Sequence, residues 1–575
     1  MKQPDGTYLT IILHGDEDFH YYTTDDGVLL VQQDGKYFIA RTEADGHLTA
    51  TTQLAHKAAN RSQVERQLIE AQDKQAFLTQ GMGERVVQQK RREPINTEGT
   101  TLFPHIGSPK AIVILAEFSD TTFTIDNPKR SFEDYFNSNQ PLESYGYGEQ
   151  QNITSVAQYF KNVSMGAYKP QFDVYGPVTL PSPLKTYGGT SSGGSNERMD
   201  LLLKDACTLL DDTLDFSQYD ANGDNNVDLV IVIYAGYSES MSGNSAECIW
   251  PKSGTVTNAG TYDGKRVWRY AVSAELNGFP GCWSKAPFKR INGIGTLCHE
   301  FCHTLGMPDF YPTINSVKGD NQGMEYWSLM DSGNYNGNGY YPVALNAWER
   351  EAFEWIQIPT LEETAELEIK PLDNGGTAYR IVNDNENSEY YIIENIQKIG
   401  HNIMQRGKGL VVYHVNYDPT SFSLSSNSVN NIKGSPRMTV VPADGLLFAS
   451  YNVGKTIDGV TIVYTDFYNQ MAGDPFPGTS GLNCVNDTMN LVNFHIYNGD
   501  TFNKGLENIT ELEDGTITLK FVQDITDGIF TATTATSPRN DDGQYYTIDG
   551  RRAGSNFQNL PSGIYIRGGK KQVKL

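Results

Sequence analysis

Between Ala111 and Trp355 strand-length and helix-length apolar runs alternate, and this alternation restricts the fold more than any other feature of the chain. Ala111-Ile112-Val113-Ile114-Leu115, Gln171 to Leu180 and Val227 to Ala235 predict strands. Ser155 to Val163, Arg198 to Leu210, Asn292 to Leu305 and Val343 to Trp355 predict helices. Strands and helices in alternation build an α/β layer domain, here of about 250 residues.

The flanks read differently. Tyr8 to Leu13, Gly27 to Val31 and Lys36 to Ala40 are short apolar runs set apart by Asp26-Gly27, Asp34-Gly35 and Asp45-Gly46, which predicts a meander of hairpins. Residues 62–89 predict a polar helix interrupted near 81–83, and Lys90-Arg91-Arg92 opens a linker that ends near His105. After Glu362 the pattern turns to short strands that run on to 516–522. Thr531 to Pro538 predicts a linker, and the last stretch a small β tail. With 575 residues the chain has room for roughly four units of ~150 residues. The expected organisation is 1–104, a β meander with helix and linker; 105–360, the α/β domain; 361–525, a β-rich domain; 526–540, a linker; and 541–575, the tail.

Forty-five Lys plus Arg face 69 Asp plus Glu, for a net charge of −24. Such a charge repels phosphate and argues against a nucleic-acid partner. No apolar run approaches ~18 residues, so no membrane span is expected. Met1 to Gly6 has no apolar leader core, which reads as a cytosolic start or a trimmed signal peptide. Six cysteines are too sparse for a disulfide scaffold. Cys298 and Cys302, one helical turn apart, read as two small buried residues.

The chemistry concentrates in Gly295-Thr-Leu-Cys-His299-Glu300-Phe-Cys-His303-Thr-Leu-Gly306-Met-Pro-Asp309. Residues four apart on a helix share a face, so both imidazoles can reach one metal ion. Ile294, Leu297, Phe301 and Leu305 fall on the opposite side and predict an apolar back. A His-Glu-x-x-His match arises by chance about 0.01 times in a chain of this composition, so a structural His pair is the weaker reading. Catalytic zinc takes three protein ligands and keeps one position for water. Gly306 can take positive φ and turn the chain so that Asp309 supplies the third ligand. Glu325, 22 residues after His303, competes for that place. Glu300 suits a general base acting on the zinc-bound water as it attacks a peptide carbonyl. Asp220, Asn222, Asp224, Asn226 and Asp228 place oxygen side chains at alternate positions, as a Ca²⁺ loop does, although the sixth-position Gly and a closing Glu are missing. The plainer reading is a turn rich in Asx residues.

His299-Glu300-x-x-His303-x-x-Gly306-x-x-Asp309 resembles the extended zinc motif of the metzincin clan, with Asp in the third place. Tyr326-Trp327-Ser328-Leu329-Met330-Asp331 looks like the clan's Met-turn. Together with Met307-Pro308-Asp309, Ser155 to Phe160, Pro342 to Trp348 and Gly473 to Gly478, these segments are similar to the immune inhibitor A family of secreted bacterial metallopeptidases. The resemblance runs over about 1–525. It implies a metzincin-like α+β or α/β catalytic domain between an N-terminal β-rich propeptide and a C-terminal β domain. It also implies His299, His303 and Asp309 on zinc, Glu300 as base and Met330 in the Met-turn. Cys302 departs from the family's usual Gly. Tyr335, shortly after the Met-turn, is a candidate oxyanion donor.

The expected function is that of a secreted or cell-surface zinc endopeptidase made as a zymogen, with Zn²⁺ catalytic, Ca²⁺ structural and protein or peptide substrates. Asp16, Glu17, Asp18 or His20 are candidates to cap the metal in a latent form, and Lys90-Arg91-Arg92 is a candidate cut site for an activating trypsin-like protease. The tail from Tyr545 resembles C-terminal sorting modules. The alternatives are an inert binding or adhesion protein on a peptidase scaffold, and a thermolysin-like peptidase with Glu325 on the metal.

Overall fold

The structure is a computed structural model. It describes the chain outside 1–2, 16–19, 34–35, 45–46, 75, 78–101, 141–151, 189–196, 241–247, 279–289, 315, 320–321, 386–387, 448, 454–455, 458–459, 462, 498, 500, 526–543, 548–551, 561–562, 568–569 and 575. Asp16, Glu17, Asp18, Lys90-Arg91-Arg92 and the Thr531 to Pro538 linker therefore lie outside the described residues. His20 opens the strand His20–Thr24. The fold is mixed α/β with several sheets, in two compact units, Met1–Pro94 and Ile95–Leu575.

In the first unit, strands Ile11–Gly15, His20–Thr24, Leu29–Gln33, Lys36–Thr42 and Leu48–Leu54 form an antiparallel sheet in sequence order. Of the polar stretch, Gln63–Glu70 is helical and Lys74, Ala76 and Phe77 are helical again, with a break between them, while 78–89 lie outside the described residues. A capping box starts Gln63–Glu70: Glu65 N–H donates to the Ser62 hydroxyl, and the Ser62 N–H to the Glu65 carboxylate. Gln72 then turns inward. Its amide accepts from Leu29 N–H and donates to the Leu29 and Ala40 carbonyls, contacts a continuing helix would break.

In the second unit, the central sheet has the order Gln171–Thr179, Lys110–Glu117, Val230–Tyr237, Arg269–Leu276, Lys252–Thr255. The first four strands are parallel and the last is an antiparallel edge. Period-two alternation sends Ala111, Val113, Leu115, Ile231 and Ile233 to one face and Ile112, Ile114, Val230, Val232 and Val272 to the other. Helix Met199–Thr208 covers the second face with Met199, Leu202, Leu203 and Ala206. Helices Val156–Val163 and Ile294–Thr304 share the core of the first. The segment expected as a helix from Val343 to Trp355 is helical only over Ala347–Ala352, because Asn346 and Glu349 form a capping box that sets its start.

Some residues after 360 join this core, while others build cores of their own. The sheet Tyr379–Val382, Glu389–Ile396, Gly409–Asn416, Met438–Val440 sends Tyr390, Ile392, Val411, Tyr413 and Val440 into the same core as Leu297 and Phe301. Its His414 is fully buried against Glu389, 2.9 Å away, as a core histidine. Ala365–Ile369, Ile517–Val522 and Gly505–Glu511 pair in a second sheet. Near the C-terminus, Tyr545–Thr547, Arg552–Gly554, Gly563–Arg567 and Lys570–Lys574 form a four-stranded sheet. Cys298 and Cys302 are buried free thiols. Among the described residues no helix is long and apolar enough to cross a membrane.

Candidate metal centre

Helix Ile294–Thr304 sits where two glycines let it. A Cβ at Gly295 would lie 2.0 Å from the Asn334 carbonyl oxygen, and one at Gly293 2.2 Å from the Gly339 carbonyl carbon. Glycine at both positions admits the segment Ser332–Gly339 against the first helical turn. Ile294, Leu297, Phe301 and Leu305 form the buried back, and the Phe301 ring packs edge-on to Phe103 and Phe172. The front carries His299, Glu300 and His303, each no more than 9% exposed.

The helix stops at Leu305, and Gly306 follows at φ +106°. The Met307 N–H donates to the Cys302 carbonyl, so the chain doubles back and returns Asp309 to the front. Asp309 Oδ1 lies 3.0 Å from His299 Nε2 and 3.3 Å from His303 Nε2, with the imidazole centroids 4.7 Å apart. The outer ring nitrogens are engaged elsewhere: His299 Nδ1 donates to the Leu329 carbonyl at 3.0 Å and His303 Nδ1 to the Met307 carbonyl at 2.7 Å. Neutral rings held this way aim their Nε2 lone pairs inward.

Deprotonated rings would bring three electron pairs to one point, which suits a cation, whereas protonated rings donate to Asp309 instead. Burial works against Asp309 ionising, yet the two imidazoles hold it well below the ordinary carboxylate range. Burial likewise opposes a charged His303, but the Asp309 carboxylate outweighs it and pushes His303 up to about 9. In the described structure these three are the group of His, Cys, Asp or Glu side chains close enough to hold a metal ion, with ligand atoms within 4.8 Å of one another. The donor set of two imidazoles and a carboxylate fits zinc.

Glu300 projects beside the triad. Burial raises its pKa, the two imidazoles and a Ser253 hydrogen bond lower it, and it remains above its ordinary value. Ser253 belongs to the edge strand Lys252–Thr255. A cleft of about 450 Å³ opens here, lined by His299, Glu300, His303 and Asp309 with Trp250, Lys252, Ser253, Arg269, Tyr311, Leu424 and Asn427. Arg269 is 6% exposed, and burial lowers its guanidinium to about 10.

The turn Ser328–Asp331 lies under the same helix. Its Leu329 carbonyl orients His299, its Met330 carbonyl accepts the Phe310 N–H, and the Met330 side chain is fully buried. Glu325 is not gathered into the triad. Its Oε1 accepts the Ser450 N–H at 2.8 Å and its Oε2 the Ser332 hydroxyl at 3.2 Å. Burial, then the charge of Asp331, raise it well above the ordinary range. Tyr335 is 50% exposed and does not line the cleft. The described tyrosine that lines the cleft is Tyr311, whose pKa is raised by burial, then by the charges of Asp309 and Glu300.

The Asp220–Asp228 loop is organised around a side-chain cation. Lys265 Nζ sits 2.6 Å from Asp220 Oδ2 and 3.2 Å from Asn225 Oδ1. Asp220 also accepts the N–H groups of Asp224 and Asn225, Asn222 that of Asp224, Asp224 that of Asn226, and Asp228 that of Ala221. Burial, then the charges of Asp220 and Asp224, push Asp228 up to about 6. Lys265 thus pairs with Asp220, one of the five side chains expected on Ca²⁺.

The sequence reading missed Tyr311, Ser253, Arg269 and Asn427. Tyr311 stands two residues past Asp309 and was within reach of a local argument. Asn427, 118 residues from Asp309, carried no signal.

Residues 104–358 match the family described as Immune inhibitor A peptidase M6, catalytic domain. The chain is 27% identical over 247 residues to the Pre-pro-metalloprotease PrtV of Vibrio cholerae serotype O1, covering 38% of this chain and 26% of that protein. It is 25% identical over 310 residues to the Immune inhibitor A of Bacillus thuringiensis subsp. alesti, covering 46% of this chain and 42% of that protein. The chain thus spans less than half the length of either relative. Residues 104–358, which carry the His299, His303 and Asp309 cluster, are thus similar to the catalytic domain of the immune inhibitor A metallopeptidases.

Proposed function

We propose that the chain is a secreted, zinc-dependent endopeptidase with a metzincin-like catalytic domain, made as a zymogen. The convergence of His299 Nε2, His303 Nε2 and Asp309 Oδ1 on one point, with Glu300 beside it in an open cleft, carries this reading. His299, His303 and Asp309 hold the ion, and Met330 supplies the buried floor of a Met-turn. When bound, zinc supplies Lewis acidity and makes water a better nucleophile near neutral pH. Glu300 takes the proton of the attacking water and delivers it to the leaving amine. Its raised pKa suits both halves of that transfer. Tyr311, which lines the cleft, and Tyr335 are the phenols proposed to meet a developing oxyanion.

Residues 1–104 serve as the propeptide, with Lys90-Arg91-Arg92 the site at which a trypsin-like protease releases it. The segments 361–525 and 541–575 follow as a β-rich domain and a sorting tail. Extracellular proteins are the substrates. The test is hydrolysis of casein by trypsin-treated chain loaded with zinc. Activity is expected, with loss on chelation and in Glu300→Ala. Absence of activity in the loaded chain, or its survival in Glu300→Ala, refutes the peptidase reading.

A further inference from the structure

Asp309 is held from outside the segment that matches the peptidase family. Asn427 Nδ2 donates to Asp309 Oδ2 at 2.7 Å, and the Asp309 N–H donates to Asn427 Oδ1 at 2.7 Å. The loop that carries Asn427 follows the strand Gly409–Asn416 and runs beside the residues after Asp309. The Thr313 hydroxyl donates to the Asn427 carbonyl at 2.9 Å, and the Thr313 N–H to Asn431 Oδ1 at 2.8 Å. Asn431 Nδ2 donates back to the Thr313 hydroxyl, and Asn430 Nδ2 donates to the Phe310 carbonyl at 2.6 Å.

The division of labour within this loop is informative. Asn430 and Asn431 bind the backbone and Thr313, which is enough to dock the loop. The Asn427 side chain turns both its oxygen and its nitrogen to Asp309. It does so from φ +44°, a left-handed conformation that asparagine tolerates better than most residues. A carboxylate on a loop after a glycine turn is free to rotate, and either oxygen can face the imidazoles. With Oδ2 engaged by the Asn427 amide, Oδ1 is the oxygen that faces both Nε2 atoms. That oxygen is buried with no hydrogen-bond donor beyond those two rings. Leu424 of the same loop lines the cleft beside Asn427.

We propose that Asn427 is a positioning residue for the metal centre: it fixes the rotamer of Asp309, so that full metal affinity requires the region beyond residue 360. The inference rests on reading His299, His303 and Asp309 as metal ligands. Groups that orient a ligand without touching the metal typically change affinity 10–100-fold when removed.

The experiment compares the full chain with Asn427→Gly, Asn431→Ala and His299→Ala. Zinc affinity is read by competition with a chromophoric chelator, and the unfolding midpoint is read without metal. Glycine accepts the positive φ, so Asn427→Gly deletes the clamp without straining the backbone, and Asn427→Ala replaces it if the loop loosens. The expected result is a 10–100-fold loss of zinc affinity in Asn427→Gly, with Asn431→Ala within about threefold of the unaltered chain. The visible spectrum of the cobalt(II)-loaded chain should change for Asn427→Gly and hold for Asn431→Ala. Equal affinity in Asn427→Gly and the unaltered chain overturns the inference, as does an equal loss in Asn431→Ala, which would make loop docking the cause. If the unaltered chain binds zinc and His299→Ala does not, such a result leaves the metal reading standing. An unaltered chain that binds no zinc overturns both.

Discussion

His401 gives the chain a defined acid sensitivity. It is 5% exposed, its ring meets Tyr159 edge-on with centroids 4.7 Å apart, and its Nε2 lies 3.3 Å from the Asn162 amide nitrogen. Nδ1 is buried with no hydrogen-bond partner. Burial depresses the imidazole to about 4; the nearby Asp373 raises it and Arg350 lowers it further. The unfolded chain titrates His401 near 6.5, so between 6.5 and 4 the unfolded state binds a proton that the folded state refuses. Stability is therefore lost as pH falls through that window, and no further below it. The two pKa values differ by about 2.5 units, which at 1.36 kcal/mol per unit amounts to roughly 3 kcal/mol. Glu349 and Glu394, each pushed up to about 7 by burial, act in the opposite sense, since the folded state holds their protons as pH rises from 4.5 to 7. Their contribution is common to the chain and to His401→Phe, and cancels in the difference. Urea unfolding at half-unit steps from pH 4 to 7 should show the variant gaining on the unaltered chain by roughly 3 kcal/mol across the window. Parallel pH profiles for the two proteins would refute the reasoning.

Three further outcomes follow from the centre and its supports. Gly295→Ala places a methyl 2.0 Å from the Asn334 carbonyl oxygen; overpacking of this kind costs about 1–3 kcal/mol, and thermal unfolding should register it together with weaker zinc binding. Phe301→Ala removes a fully buried ring from the back of the metal helix, with an expected loss of about 3–5 kcal/mol in denaturant unfolding. Zinc at a hundredfold excess over its dissociation constant should stabilise the chain by about 2.7 kcal/mol. The corresponding rise in unfolding temperature should vanish in His303→Ala, and an equal rise in that variant would mean zinc binds elsewhere.

The features legible in sequence are those set by short separations. His299, Glu300 and His303 share a face because a helix repeats every 3.6 residues. Gly306 is three residues further on, and its positive φ is a property of the residue itself. The strands Lys110–Glu117 and Val230–Tyr237 announce themselves because burial on both faces demands an unbroken apolar run. The edge strand Lys252–Thr255 does not: Lys-Ser-Gly-Thr has no apolar signature, and its place depends on pairing with Arg269–Leu276.

Tertiary structure settled what depends on distant partners. Sequence left Asp309 and Glu325 as rival carboxylates; the fold brings Asp309 to the imidazoles and engages Glu325 with Ser450, 125 residues away. At the oxygen-rich loop Asp220–Asp228, sequence carried no sign that Lys265, 45 residues away, pairs with Asp220. Asn427 at 118 residues from Asp309, and the strands after 360 that share a core with Leu297 and Phe301, belong to the same class. The sequence by itself determined the chemistry of the metal helix, because helical geometry is local. Only the folded chain decided which carboxylate lies beside the two imidazoles and which side chains contact it, because such contacts depend on where remote segments pack.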